Sequence, residues 1–210
     1  MVSRLLAAAV LLLSFPVCAQ DWTGVQGVYR FGGIPDFVLA GSFADSQAIY
    51  AHVGSLDYVW ANADTRLTLG VAFGGLSVKD GYWRAEGTRP DEGVHAEFPL
   101  QFIGVTASYS WVFELADRLA FIPVVGLGIG TILGDVYATE VIPGCTQAGK
   151  CGHWDEVTRH PVKFSSRMLP LVQFSASLAY RVAERSSMSL EAGIYDFPYV
   201  GVGFQHFFLR

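Results

Sequence analysis

Apolar residues recur at every second position in eight segments of this chain. In the clearest segment, Leu67, Leu69, Val71 and Phe73 alternate with small or polar residues. Successive side chains of a strand point to opposite faces, so this period of two predicts β-strands. The predicted strands cover approximately residues 22–31, 48–60, 66–74, 103–114, 125–130, 172–181, 188–194 and 200–208.

The connections between these segments alternate in length. Short charged turns lie at residues 61–64, 116–118 and 183–186. Much longer connections cover residues 32–47, 79–98 and 134–166. Alternating short turns and long loops are typical of a β-barrel that spans a membrane.

The two faces of the predicted strands differ in a direction that indicates lipid outside. One face carries large apolar side chains, and the other carries glycine, serine and threonine with scattered charges. A water-soluble barrel has the opposite arrangement, with bulky apolar residues inside. The pattern therefore predicts an all-β fold, an eight-stranded antiparallel transmembrane β-barrel. A soluble secreted β-sandwich is the structural alternative.

A membrane-spanning helix is a poor interpretation of the most apolar segment. Leu119–Leu133 is fifteen residues long, whereas a spanning helix needs about 20. The segment also contains Pro123 and has glycine at 126, 128 and 130. Glycine at every second position marks one face of a strand.

Aromatic residues cluster near the short-turn ends of the predicted strands. A ring of aromatic side chains at one level is typical of a bilayer interface. The residues concerned are Trp22, Tyr58, Trp60, Trp111, Phe113, Phe121 and Tyr180.

On these alternating segments, the chain resembles the small eight-stranded outer-membrane barrels, the class of the OmpA transmembrane domain and OmpX. The resemblance covers the whole mature chain and rests on pattern, without a signature motif. Members of that class usually end on an aromatic residue, whereas here Phe208 is followed by Leu209 and Arg210. The resemblance implies a bacterial outer membrane, with outer-membrane lipid and the barrel assembly machinery as partners.

The first nineteen residues have the pattern of an export signal. Arg4 precedes the apolar run Leu5–Val17, and Val17-Cys18-Ala19 places small residues at a cleavage site. We therefore expect a signal peptide at 1–19 and a barrel domain at 20–210. A lipoprotein acylated on Cys18 is the alternative, for which Pro16-Val17 is a poor preceding sequence.

Charge argues against a nucleic-acid partner. The chain has 14 Lys and Arg residues against 19 Asp and Glu residues, and no basic stripe is present. No cofactor is predicted.

Two cysteines remain after cleavage, Cys145 and Cys151, within one long connection. In an exported protein this spacing favours a disulfide. The alternative is a metal site formed by both cysteines with His153 and His160, although zinc motifs usually place cysteines closer together.

Several charged residues belong to the face predicted to line the lumen. Mixed charges in a narrow interior must pair, because burying an isolated charge is expensive. We expect a salt-bridge network that plugs the lumen, with a gated conduit or an acid/base pair as alternatives. The residues are Arg30, Asp57, Arg66, Glu114, Arg181 and Glu191.

The long connections carry aromatic residues that are candidates for surface recognition: Phe37, Phe43, Trp83 and Trp154. The apolar stretch 34–43 could be a turn of helix at the rim, or a lid for a lipidic ligand.

No catalytic residue is predicted, since neither His52 nor His95 stands beside a serine in a recognisable motif. We expect a non-catalytic barrel acting in envelope integrity, surface recognition or adhesion. The alternative is a lipid-handling barrel, either a lipid A-modifying enzyme or a conduit for a small apolar molecule.

Overall fold

The computed structural model describes residues 22–78, 80–147, 150–152, 159–162 and 167–209. The predicted export signal lies outside these residues. Within them, the chain is almost entirely strand, with one helical turn, α1 (Asp36–Leu39), and a 3₁₀ turn at Pro90–Glu92. In the described part of the chain, no helix is both long enough and apolar enough to cross a membrane.

The strands fall into two groups by length. The longer strands are β1 (Trp22–Ile34), β3 (Ile49–Ala61), β4 (Thr65–Val78), β7 (Leu100–Trp111), β9 (Leu119–Leu133), β12 (Met168–Ala183), β13 (Ser186–Tyr195) and β14 (Phe197–Leu209). The shorter strands are β2 (Phe43–Asp45), β5 (Gly81–Ala85), β6 (Val94–Glu97), β8 (Phe113–Ala116), β10 (Val136–Glu140) and β11 (His160–Val162).

The eight longer strands form a closed antiparallel barrel, which confirms the predicted fold. Their order around the wall is β1, β3, β4, β7, β9, β12, β13, β14. Closure comes from β14, which pairs back onto β1 with Arg30 opposite Gly201. Strand β8 resumes the chain after β7 and pairs with β9 beyond the ring. Closure leaves no free edge among these eight strands, as a membrane-spanning sheet requires.

The two faces of the wall are those that the pattern predicts. Large apolar side chains project outward and are exposed, as Leu69, Val105, Leu127 and Leu190 illustrate. Aromatic residues form a band at the short-turn end, where the Tyr58 and Trp60 rings lie 4.6 Å apart. This arrangement suits a wall that contacts hydrocarbon, with an interface at its lower end.

The long connections fold into a second sheet, which sequence analysis did not predict. Its five strands have the order β11, β10, β6, β5, β2, and we call it the loop sheet. Each of its strands has only three to five residues. Alternation over so few positions gives no clear periodic signal, and for this reason these segments were interpreted as loops.

The lipid-facing wall gives a prediction about depth. Leu127→Arg places a charge at the middle of β9, where the expected loss of folding free energy is about 2–4 kcal/mol. Leu115→Arg, at the short-turn end, is the control and should lose about 0–1 kcal/mol. Urea unfolding of both variants in lipid vesicles measures the difference. Equal losses would contradict a membrane-spanning wall.

Candidate functional site

The centre of the lumen is occupied by a hydrogen-bonded layer of charged side chains. The Arg30 guanidinium donates through Nη1 to Ser55 Oγ at 3.1 Å and through Nη2 to Glu191 Oε2 at 3.4 Å. Ser55 Oγ in turn donates to Asp57 Oδ2 at 3.0 Å. All four residues are buried. The layer joins β1, β3 and β13, so it spans the barrel interior.

Glu191 accepts hydrogen bonds from the opposite side of the layer as well. Its Oε1 accepts from Gln173 Nε2 at 2.9 Å, from Ser175 Oγ at 2.8 Å, and from the Tyr199 hydroxyl. Multiple donors are what a buried carboxylate needs, because a half-satisfied polar network is costly. We call Arg30, Ser55, Asp57, Gln173, Ser175 and Glu191 the charged layer.

Glycines on neighbouring strands provide the space that these long side chains fill. A Cβ atom added at Gly70 would lie 1.8 Å from Asp57 Oδ1, and one added at Gly201 would lie 3.2 Å from Arg30 Cγ. A Cβ atom at Gly126 would similarly approach Gln173 Oε1 to 3.1 Å. The glycine face predicted from the sequence is therefore covered by polar side chains rather than left as an open channel.

An apolar cluster fills the lumen above the charged layer, toward the long connections. Its buried members are Val53, Ala72, Leu171, Tyr195 and Tyr199, with Phe102 and Phe197 packed against them. The Arg30 guanidinium lies 5.4 Å and 5.6 Å from the ring centres of Tyr195 and Tyr199. Both tyrosines lie on the same inward face as Glu191. The sequence analysis did not include them among the lumen residues, although the alternation could have identified them.

A polar cavity of about 40 Å³ lies on the short-turn side of the charged layer. Arg66 borders it and donates through Nη1 to Gln205 Oε1 at 2.7 Å. Serine and threonine residues supply much of the remaining lining, to which Ile122 and Val124 also contribute. The volume and polarity suit a few water molecules.

Four of the six charged residues proposed for the lumen lie inside it: Arg30, Asp57, Arg66 and Glu191. Glu114 and Arg181 lie elsewhere, exposed at the short-turn end, where they form an ion pair at 3.7 Å. The alternation assigned both residues to the inward face. It could not show that Glu114 lies on β8, beyond the end of the eight-stranded ring at the short turns.

The loop aromatics have different environments. Phe37 is 76% exposed on α1, as expected for a contact residue. Trp83 is 7% exposed, because its indole packs between Phe43 and Phe98 with both ring centres at 5.3 Å. The expectation of an exposed Trp83 was therefore wrong, and this residue is a packing centre of the loop sheet. Trp154 lies outside the described residues.

Cys145 and Cys151 form the predicted disulfide. The bond occupies both sulfur atoms, which removes the two thiolates that the alternative metal site needed; His153 lies outside the described residues. Nearby, the Arg89 backbone amide and guanidinium hydrogen-bond the Glu92 carboxylate and lower its pKa. Within the described ranges, no group of three or more His, Cys, Asp or Glu residues is placed to hold a metal ion.

The histidines are dispersed around the molecule. His52 faces outward and its Nδ1 lies 2.6 Å from the Tyr29 hydroxyl, whereas Ser55 faces into the lumen. His95 lies on β6 of the loop sheet. His206 Nδ1 lies 2.9 Å from Ser186 Oγ at the short-turn end. His52 and Ser55 thus lie on opposite faces of β3, which precludes a catalytic pair between them.

These features define the class of protein: an eight-stranded transmembrane β-barrel with a filled lumen. No family model and no curated protein matches the chain. Among solved structures, it is similar to Ail, the attachment invasion locus protein of Yersinia pestis (12% identity, 90% of this chain and 100% of that chain, TM-score 0.44). It is also similar to the N-terminal β-barrel domain of Pseudomonas aeruginosa OprF (13% identity, 88% and 99% coverage, TM-score 0.33). A designed transmembrane β-barrel is comparable (14% identity, 88% and 96% coverage, TM-score 0.37).

The charged layer gives a prediction about stability. Glu191→Ala leaves Arg30 buried without its carboxylate and should cost about 3–5 kcal/mol. Glu114→Ala removes a carboxylate from an exposed ion pair and should cost about 0–1 kcal/mol. Urea unfolding in lipid vesicles, followed by tryptophan fluorescence, compares the two variants. Similar losses for both would mean that the charged layer does not stabilise the barrel.

The loop sheet gives a second prediction. Trp83→Ala should cost about 3–5 kcal/mol of local packing, so proteinase K should cleave the long connections earlier while the barrel strands stay protected. Phe37→Ala, at an exposed aromatic, is the control and should leave the cleavage rate unchanged. Equal cleavage of both variants and the parent would show that Trp83 does not hold the loop sheet together.

Proposed function

We propose that this chain is a non-conducting barrel of the bacterial outer membrane that contributes to envelope integrity and presents the loop sheet together with α1 as a recognition surface. The observation that carries the proposal is the lumen, which is filled by the charged layer and the apolar cluster. The N-terminus and short turns would face the periplasm, and the long connections the exterior. Outer-membrane lipid and the barrel assembly machinery would be its partners.

A structural role for the lumen is favoured over conduction. An eight-stranded interior is just wide enough for side chains to fill it. Arg30 pairs with Glu191, Asp57 accepts a hydrogen bond from Ser55, and Tyr195 and Tyr199 pack above them. Opening a path would expose buried charges and break several hydrogen bonds at once, which supports a permanent plug.

Recognition is favoured by the order and the exposure of the long connections. The loop sheet is held by the Trp83 packing, by the disulfide, and by an Arg84–Asp45 ion pair at 2.7 Å. It nevertheless leaves Phe37 and Val38 exposed on α1. Exposed apolar side chains on an ordered surface favour binding, because little entropy is lost when a rigid surface docks.

The lipid-modifying alternative has less support. A catalytic nucleophile needs a base within hydrogen-bond reach and a group to orient that base. His52 instead pairs with Tyr29 on the outer wall. Catalysis would be indicated by a changed acyl-chain count in lipid A from cells that express the protein.

A complementation experiment tests the two parts of the proposal separately. A strain that lacks the gene receives either the parent chain or the variant Phe37→Ser/Val38→Ser. Uptake of the dye N-phenylnaphthylamine reports envelope integrity, and adherence to hexadecane droplets reports apolar surface contact.

Both chains should restore the dye barrier, whereas the variant should lose most of the adherence, because serine removes the exposed apolar contacts. Lys150→Ser, at another exposed position in the long connections, serves as a substitution control without apolar loss. A null strain that matches the parent in both assays would contradict the proposal.

A further inference from the structure

A groove of about 650 Å³ lies in the outer wall of the barrel, on the face that contacts lipid. It is bordered by Tyr29, Phe73, Met188 and Phe204, all of which are exposed outward side chains. The groove therefore lies on the outside of the wall, although Ser55, whose side chain belongs to the charged layer, is also among its lining residues.

The concavity comes from a missing side chain on β1, at Gly27. Gly27 and Gly54 both lie in the lining, but the Phe73 ring covers Gly54, where an added Cβ atom would lie 2.9 Å from Phe73 Cζ. A Cβ atom added at Gly27 would have only the Ser55 backbone oxygen within range, at 4.0 Å. The space above Gly27 is thus open, and a side chain placed there would fill it without a backbone clash.

One end of the groove is polar. The Tyr29 hydroxyl and His52 Nδ1 lie 2.6 Å apart, and the His52 ring lies 5.0 Å from the Phe31 ring. Phe31 in turn stacks on Tyr50 at 6.0 Å, so this end belongs to an aromatic cluster toward the long connections. When the tyrosine hydroxyl donates to Nδ1, a neutral imidazole carries its proton on Nε2. Nε2 is then a donor for an external acceptor.

The other end of the groove is apolar. Met188, Val202 and Phe204 line it, and Phe204 lies directly opposite Gly27 in the strand pairing. The direction from Tyr29 to Gly27 runs from the long connections toward the middle of the wall. The groove is therefore polar at the outer end and apolar toward the membrane centre. A lipid in the outer leaflet has the same arrangement, with its headgroup outward and its acyl chains toward the centre.

We propose that this groove binds one acyl chain of an outer-leaflet lipid, with the ester carbonyl of that chain accepting a hydrogen bond from His52 Nε2. The proposal rests on the membrane location given under the proposed function. It also explains a polar pair on a lipid-facing wall, which is otherwise costly. A second barrel would present a convex wall, which fits a concave groove less well than a flexible chain does.

Native mass spectrometry tests the proposal on the barrel refolded in detergent and titrated with palmitoyl-oleoyl-phosphatidylethanolamine. The parent chain should retain one lipid. Gly27→Leu should weaken retention at least tenfold by filling the groove. Ala107→Leu, which adds the same side chain to the outward face of β7 away from the groove, is the matched control and should retain lipid like the parent. His52→Phe should weaken retention about tenfold by removing the donor.

Each contrary result is distinct. Equal lipid retention by the parent and Gly27→Leu would overturn the proposal, and so would a parent chain without bound lipid. A dimer that dissociates in Gly27→Leu would identify a second copy as the occupant and overturn it as well. The gel mobility of each unboiled variant shows whether the barrel has folded. Because dye uptake and adherence are measured separately in cells, a failure of the groove is distinguishable from a failure of the proposed function.

Discussion

The interaction on which the rest of the structure depends is the buried ion pair between Arg30 and Glu191. Two charges in a narrow interior are tolerated only when each is paired and hydrogen-bonded. Glu191 meets this requirement by drawing donors from β1, β12 and β14, and Arg30 does so by contacting Ser55 on β3. The pair therefore joins strands that are distant in sequence, since its members have a sequence separation of 161.

The inward-facing glycines are a consequence of the same narrow barrel interior. The interior of an eight-stranded barrel is just wide enough for side chains to fill it. A long inward side chain therefore requires a small residue on the neighbouring strand. Gly70 yields its space to Asp57, and Gly104 yields its space to Leu171, whose Cδ1 would lie 2.7 Å from an added Cβ atom. Outside, the wall contacts hydrocarbon, so large apolar residues can occupy nearly every position. Gly27 is an exception, because a Cβ atom added there would have only the Ser55 backbone oxygen within range, at 4.0 Å.

Much of the barrel could be predicted because lipid imposes one rule on every outward position. Leu67, Leu69, Val71 and Phe73 are all apolar and outward-facing, and their spacing of two residues predicted both the strand and its two faces. The height of a residue along the barrel depends on strand pairing, which no local pattern encodes, so Glu114 and Arg181 were placed too deep. The loop sheet was missed because β2 and β11 have three residues each. Trp83 was interpreted as exposed because composition alone cannot distinguish an anchor residue from a contact residue.

The central claim is that the charged layer and the apolar cluster close the lumen. The current across a planar lipid bilayer that contains the purified barrel tests this claim most directly. The account predicts no steady conductance from the parent chain. It predicts measurable conductance after Arg30, Glu191 and Tyr199 are all replaced by alanine in a barrel that still shows folded gel mobility. A steady ohmic current through the parent chain would contradict the account.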